Sequence, residues 1–408
     1  MTTLIRAAQV IDGKGNAIAG GAVLFDGERI LACGRQADIG VPEGAEVIET
    51  TGTVLPGLCD VHVHLRTPGI PDEIGAESHE LARLSFAEIA LRAAYYGLET
   101  LRSGFTSVRD VGAPGGTIID LRRAIDKGYV KGPRIKAAGM GLTVTGGHMD
   151  HPGWADHVKL ENMFAPCNGP VGFRQGVREQ LKRGADLIKL NTWVSYHNSP
   201  DRFWRQEMTE EEIAAACDEA HAQGVHVAAH VYGPAGVSAS VRNGVDTIEH
   251  GHWIDDATIE LMVKHGTTFV PTLTVNDVHA GYAVENPKLA EKYKRWHRES
   301  SKAKWDTLAR VRKAGIRVCT GTDSGFQLEN GKWGAYELQL LVKGGFTPME
   351  AIIASTAASA DLLEIEAGRL EAGRLADILI VDGDPLADIT VLGKRENLKV
   401  FKGGELVH

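Results

Sequence analysis

Cysteine is scarce in this chain. Five occur among 408 residues, at positions 33, 59, 167, 217 and 319. They are scattered, odd in number and never spaced as CxxC, which supports neither a disulfide framework nor a zinc ribbon. No apolar run approaches the ~18 residues that a bilayer span requires. The opening MTTLIRAAQV has neither the basic n-region nor the apolar h-region of a secretory signal. A cytoplasmic protein without a membrane partner is therefore expected. The formal net charge is −9, with acids and bases interspersed. No basic stripe is available to meet a phosphate backbone, so no nucleic-acid partner is expected. Internal repeats and low-complexity tracts are also missing.

What is present is ordinary globular material, 43% hydrophobic and 24% charged, ample for a large core. Residues 1–53 read as short strands (Thr3–Val10, Ala22–Phe25, Arg29–Cys33 and Glu46–Glu49) separated by turn pairs such as Asp12-Gly13 and Asp26-Gly27. From Val54 apolar strands alternate with helical segments. The strands are Val54–Leu65, Ser107–Val111, Arg134–Ala138, Leu187–Leu190, Val225–Val231, Thr247–Ile248, Thr268–Leu273 and Arg317–Thr320. Such alternation predicts βα units around a parallel sheet, and this many units predict a closed barrel. Capping boxes at Thr209/Glu212 and Thr347/Glu350 place two helices, the second with Pro348 at its first position and running through Leu363. After Gly368 the pattern returns to strands. The expected architecture is α/β: a (β/α)8 TIM-like barrel over 54–367, with 1–53 and 368–408 joining as a small β-sandwich domain.

The stretch DVHVHL, Asp60 to Leu65, sets two histidines on one face of a strand. Two neutral imidazoles so spaced can hold one metal ion, although hydrogen-bonded core histidines fit the same pattern. Other strand ends add to it. Lys189 sits among Ile and Leu, where an ammonium is costly. It is either a lysine snorkelling to the strand end or an amine kept neutral by desolvation, able to take up carbon dioxide as a carbamate. The fifth strand ends in His230, the sixth in His250, and Asp323 follows the eighth. These strand ends together argue for a metal centre at the C-terminal face of the barrel.

These residues resemble the amidohydrolase superfamily. The elements HVH (His62 to His64), Lys189, His230, His250 and TGTD (ending at Asp323) follow that family's order along nearly the whole chain. GFTSVRDVG, TGGH, GADLIK, AAHVY and TIEHG look like the prolidase-type dipeptidases and carboxypeptidases. The resemblance implies two divalent metal ions, with zinc expected and manganese, cobalt or iron also suited. His62 and His64 would bind the first ion, and His230 and His250 the second. Carboxylated Lys189 would bridge them, and Asp323 would complete the first site. It implies hydrolysis of an amide by a hydroxide shared between the ions, with Asp323 as general acid and base. A small amide or dipeptide substrate and a homo-oligomeric state go with it. His148, at the exit of the third strand, is expected at the substrate carbonyl or its oxyanion, Tyr232 at a carboxylate or the oxyanion, and Arg66 at a carboxylate.

HVHLRTPG, with Arg66, also resembles cyclic amidases such as dihydroorotases, which keeps a cyclic amide or a carbamate or urea-type substrate in view. A non-catalytic scaffold would have lost ligands that are all present here. The run from Asn191 through Trp193 to His197 is bulkier than the small residues usual after the bridging lysine. Thr145 to Gly172, with Asp150, His151, Trp154 and His157, reads as a covering loop, and Tyr293–Trp305 as helix packing or a subunit contact.

Overall fold

The computed structural model describes residues 1–69, 83–150, 157, 163–193, 205–285, 291–325 and 328–407, the side chains of 282–285 and 292–293 excepted. His151, Trp154 and residues 194–197 lie outside them.

The chain opens with β1 (Thr2–Ile11), β2 (Ala17–Ala19), β3 (Gly21–Asp26), β4 (Arg29–Arg35) and β5 (Glu46–Pro56). The reading of Val54–Leu65 as one strand is corrected here. Pro56 ends β5, and a new strand, β6 (Leu58–Val63), starts after Gly57. Gly57 is required at the junction, because a Cβ there would stand 2.3 Å from Thr106 Oγ1.

The body follows as α1 (Phe86–Arg102), β7 (Phe105–Asp110), α2 (Thr117–Asp126), β8 (Arg134–Ala137), β9 (Gly141–Val144), β10 (Phe164–Cys167), α3 (Gly169–Arg183) and β11 (Leu187–Asn191). It continues with α4 (Glu210–His221), β12 (His226–Val231), α5 (Pro234–Arg242), β13 (Thr247–His250), α6 (Asp256–His265), β14 (Thr268–Val270), α7 (Leu273–Glu285) and α8 (Glu291–Lys313). Last come α9 (Gly334–Lys343), α10 (Pro348–Ser355) and α11 (Ala357–Leu362). Among the described residues no helix is long and apolar enough to cross a membrane.

Both capping boxes form with both halves present. The helix expected to run through Leu363 breaks at Thr356, whose hydroxyl donates back to Ile352 O at 2.7 Å. Such a bond to the preceding turn bends a helix.

The parallel strands pair as an arc of six, β10-β9-β11-β12-β13-β14, and an arc of three, β6-β7-β8. The ladders do not close into one ring of eight. At one junction Asp186 N donates to Ala137 O at 2.8 Å. At the other, residues 317–324 lie between β14 and β6. There Cys319 N donates to Phe269 O at 3.0 Å and Val61 N to Thr320 O at 2.8 Å. This segment was expected as the eighth strand, but it makes only isolated bridges, Phe269↔Val318 and Val63↔Ser324. It bends because Thr322 turns inward to bond Asp60 and Asp323 takes a left-handed φ of 58°. The pair β9, just before the stretch read as a covering loop, and β10, inside it, was not anticipated.

The chain returns through β15 (Ile378–Val381), β16 (Leu398–Lys402) and β17 (Glu405–Leu406). Where a sandwich was expected, the two chain ends share one eight-stranded sheet, β17-β16-β15-β5-β1-β3-β4 with β2 on β1. Alternation along these strands divides its two faces. Val54, Ile378 and Ile380 join Ile5, Val23 and Phe25 in a core of their own. Leu55, Leu379 and Val381 point the other way and merge with Leu58, Leu101 and Phe105 of the body.

A buried ion pair ties sheet to body. Asp377 accepts from Arg134 Nε and Nη2 at 2.9 and 3.1 Å and from Gly403 N at 2.7 Å. Asp377→Ala would leave all three donors without this acceptor. It should cost about 2 kcal/mol, the low side for such a pair because Arg134 keeps some access to water. A thermal melt should show a midpoint lower by several degrees. An unchanged midpoint would rule the pair out as a tie.

Candidate functional site

The C-terminal ends of β6, β11, β12 and β13, together with the 317–324 segment, converge on one buried cluster. His62 and His64, two apart on β6 and its exit, present Nε2 atoms 3.5 and 3.3 Å from Asp323 Oδ1. The three ligand atoms lie within 4.8 Å of one another, a group that could hold a metal ion. His250 sits beside His62, ring centroids 5.1 Å apart, and His230 beside His250 at 4.5 Å. Lys189 is buried in β11, and its charge acts on His62, His230, His250 and Asp323 alike.

The imidazoles are held from behind. His62 Nδ1 contacts Glu249 Oε2 at 2.6 Å, His64 Nδ1 contacts Gly112 O at 3.1 Å, and His250 Nδ1 contacts Thr272 Oγ1 at 2.8 Å. A proton kept on Nδ1 leaves Nε2 as the donor for a cation, the usual support of a metal-binding histidine. Nε2 of His230, Nε2 of His250 and Oδ1 of Asp323 are buried without a hydrogen bond. Orphaned buried acceptors are costly in a finished core, whereas imidazole nitrogens and carboxylate oxygens suit zinc or a similar divalent ion. The residues present therefore fit a metal centre.

Electrostatics agree with that chemistry. Burial pushes His62 down to about 4, and His230 and His250 well below the usual imidazole range, so all three are neutral at pH 7. Burial also pushes the Lys189 ammonium down to about 8, against the pull of Glu249 and Asp323. Burial alone would raise Asp323, but His62, His64 and Lys189 hold its carboxyl below the usual range.

The local chain is shaped for these contacts. Asp60, the first residue of DVHVHL, accepts from Thr322 Oγ1 at 2.6 Å and Thr322 N at 3.0 Å, which fixes the residue next to Asp323. Gly321 permits the close approach, since a Cβ there would stand 2.7 Å from that of His62. Glu249 is kept ionised by Arg109, whose Nη2 donates to Oε1 at 2.7 Å.

His148 and Tyr232 adjoin the cluster. The His148 ring stacks on His230 at 4.1 Å, and Tyr232 stacks on His250 at 5.1 Å. Arg66 is 1% exposed and donates to Met163 Sδ at 3.0 Å. Asp150 accepts from Gly146 N at 2.7 Å, a local turn contact, and His157 is exposed. The supports Glu249, Arg109, Asp60 and Thr272 were not singled out from sequence. Three of them lie inside the quoted stretches TIEHG, SVRDVG and DVHVHL, where their residue types were the only signal.

The profile of the amidohydrolase family matches residues 53–407. Ochratoxinase of Aspergillus niger is 29% identical over a 437-position alignment spanning 99% of this chain and 86% of that protein. Among solved structures, a Xaa-Pro dipeptidase with bound methionine in its active site is 32% identical, with a TM-score of 0.87, covering 100% of this chain and 99% of that one. A prolidase complexed with N-methylphosphonate-L-proline is 29% identical, also with a TM-score of 0.87 and coverages of 100% and 99%.

The Thr272 hydroxyl carries a clean prediction. Thr272→Val keeps the shape and removes the partner of His250 Nδ1. Metal affinity, measured by competition with a chelator, should fall about 10–100-fold, while the melt of the metal-free protein stays near that of the parent. Unchanged affinity would show that this hydroxyl does not orient the ring.

Proposed function

The chain belongs to the amidohydrolase family, and from that premise we propose that it hydrolyses the amide bond of a dipeptide or an N-acyl amino acid at a two-metal centre. One observation carries this reading. Three histidines from two strands are pinned through Nδ1; Nε2 of His62 and His64 meet Oδ1 of Asp323 as a possible metal group, and His250, its Nε2 buried without a partner, lies against His62. The relatives named for Xaa-Pro dipeptides and proline favour a dipeptide, and ochratoxinase widens the class to other amides.

His62, His64 and Asp323 are assigned to one ion, and His230 and His250 to the other, with zinc as the expected metal. Lys189 would bridge them as a carbamate. Its neutral amine adds to carbon dioxide, an N–C bond forms and one N–H proton leaves, giving an anion with two oxygens. Divalent ions, when bound, would polarise the substrate carbonyl and lower the pKa of a water toward neutrality. Asp323 takes the attacking water's proton and delivers it to the leaving nitrogen, transfer worth about 10²–10⁴-fold. His148 is assigned to the carbonyl oxygen and Tyr232 to a substrate carboxylate. The two strand arcs and residues 317–324 are read as one barrel around this centre.

The cyclic-amidase reading relied on Arg66 for a carboxylate, and the burial of that side chain against Met163 weakens it. A scaffold without catalysis would not keep this supported set of ligands.

Elemental analysis should find about two divalent ions per chain. Asp323→Asn should retain metal and lose about 10²-fold or more in kcat; full activity would remove Asp323 as the proton carrier. Lys189→Ala should lose metal, with partial recovery on adding a short carboxylic acid that fills the vacated space. On a panel of dipeptides, N-acyl amino acids and hydantoin-like rings, turnover of rings alone would overturn the dipeptide assignment.

A further inference from the structure

Glu207 lies two backbone hydrogen bonds from His230, through Thr192. Its N–H donates to Thr192 O at 3.1 Å, and Thr192 N–H in turn donates to His230 O at 3.2 Å. It therefore sits over the C-terminal ends of β11 and β12, the face to which Lys189 and His230 belong. Its Oε2 accepts from His148 N at 2.9 Å, and the His148 ring stacks on His230.

That backbone amide is the only partner of the Glu207 carboxylate among the described residues. An ionised carboxylate offers about four acceptor positions, so most of its capacity is open. Several acids elsewhere among the described residues have two or more hydrogen-bond partners. Glu249 has Arg109 and His62, Asp377 has Arg134 and Gly403 N, Glu337 has Thr274 and Leu273 N, and Glu219 has Arg178. Glu207 is half-buried, no cation pairs with its carboxylate among the described residues, and desolvation pushes its carboxyl up to about 7. A second observation marks the same corner. Asn191, on the face of β11 that carries Lys189, is fully buried, and neither its Oδ1 nor its Nδ2 has a hydrogen bond. A buried amide without partners is costly in a finished core, and with a half-open carboxylate at the same strand end it suits a ligand that brings N–H groups and positive charge.

We propose that Glu207 is an ammonium-binding subsite, receiving the free α-amino group of a dipeptide whose amide bond lies at the metal centre. This rests on the amide-hydrolase reading and narrows it to substrates with a free amine over N-acylated ones.

The test compares a dipeptide, its N-acetyl counterpart and non-hydrolysable phosphinic analogues of both. The parent enzyme should prefer the free amine. Glu207→Gln keeps an acceptor for His148 N–H and removes the charge. It should lower kcat/KM for the free dipeptide about 10–100-fold, since charge-assisted bonds are the strong ones, and leave the N-acetyl substrate within about twofold. Glu207→Asp should restore part of the preference, and melts and metal content should match the parent. Equal losses on both substrates would reduce Glu207 to a prop for His148 and overturn the proposal, as would a parent that prefers the N-acetyl substrate. Calorimetry separates the two levels. Equal binding of both phosphinic analogues by the parent would overturn the subsite alone, whereas no binding of either, with no amide turned over, would overturn the amide-hydrolase reading and the subsite with it.

Discussion

The contact between His62 Nδ1 and Glu249 Oε2, 2.6 Å long and fully buried, is the constraint on which the site depends. It joins β6 to β13 across the interior and decides which nitrogen of His62 faces the cluster. Glu249 can do this only while ionised. Burial works against that ionisation, and Arg109 on β7 overcomes it, helped by the bond to His62. Arg109 also donates to Val61 O at 2.6 Å, next to His62 itself. One carboxylate and one guanidinium thus lock three strands and one tautomer together. A fully desolvated pair of this kind is weak as a source of net stability and strong as a source of unique geometry.

Backbone conformation shows the same concentration of cost. Among the described residues five other than glycine have positive φ: Met149, His250, Thr272, Asp323 and Glu364. Two are assigned ligands, one orients a ligand, and Met149 follows His148. Each such residue costs on the order of 1–3 kcal/mol and persists only where its surroundings enforce it. At Thr272 the enforcement is visible. Lys304 donates to its carbonyl at 2.7 Å, and Glu337 accepts from Leu273 N and Thr274 N at 2.9 and 2.7 Å. Burial pushes Lys304 down and Glu337 up toward neutrality, so these groups act as hydrogen-bonding clamps as much as charges.

Much of this was legible in the sequence because it obeys short periods. The i, i+2 rule put His62 and His64 on one face, and polar residues closing apolar strands marked Lys189, His230 and His250. Both capping boxes formed as read. What was missed depends on long-range packing. Nothing local says that Pro56-Gly57 ends one sheet and starts another, because the apolar run continues through both strands and only the close approach of Thr106 requires the break. Residues 317–320 carry a strand pattern, yet Asp60, some 260 positions earlier, pulls Thr322 out of the ladder. Arg66 follows a histidine pair that faces the site, and its own burial against Met163 could not be read from the motif.

Matched and unmatched charges separate the structural parts of this protein from the working ones. Where an acid only holds the fold, its lone pairs are taken. Asp377 closes on Arg134 and Gly403, and Glu219 on Arg178. At the C-terminal face the accounting stays open. Lys189 has no hydrogen bond or direct ion pair among the described residues, and Glu207 has one neutral donor. Lys189 is fully buried in β11, whereas Glu207 is half-buried and joins the end of that strand through the carbonyl of Thr192. A fold selected for stability alone would neutralise or replace both at little cost. An amine eased toward neutrality and a carboxylate raised toward protonation at this end of the strands are in keeping with the ligand roles proposed for them. The supporting groups Arg109, Glu249 and Asp60 each make several hydrogen bonds for the converse reason, since groups left open for a ligand stay in position only when what lies behind them is closed.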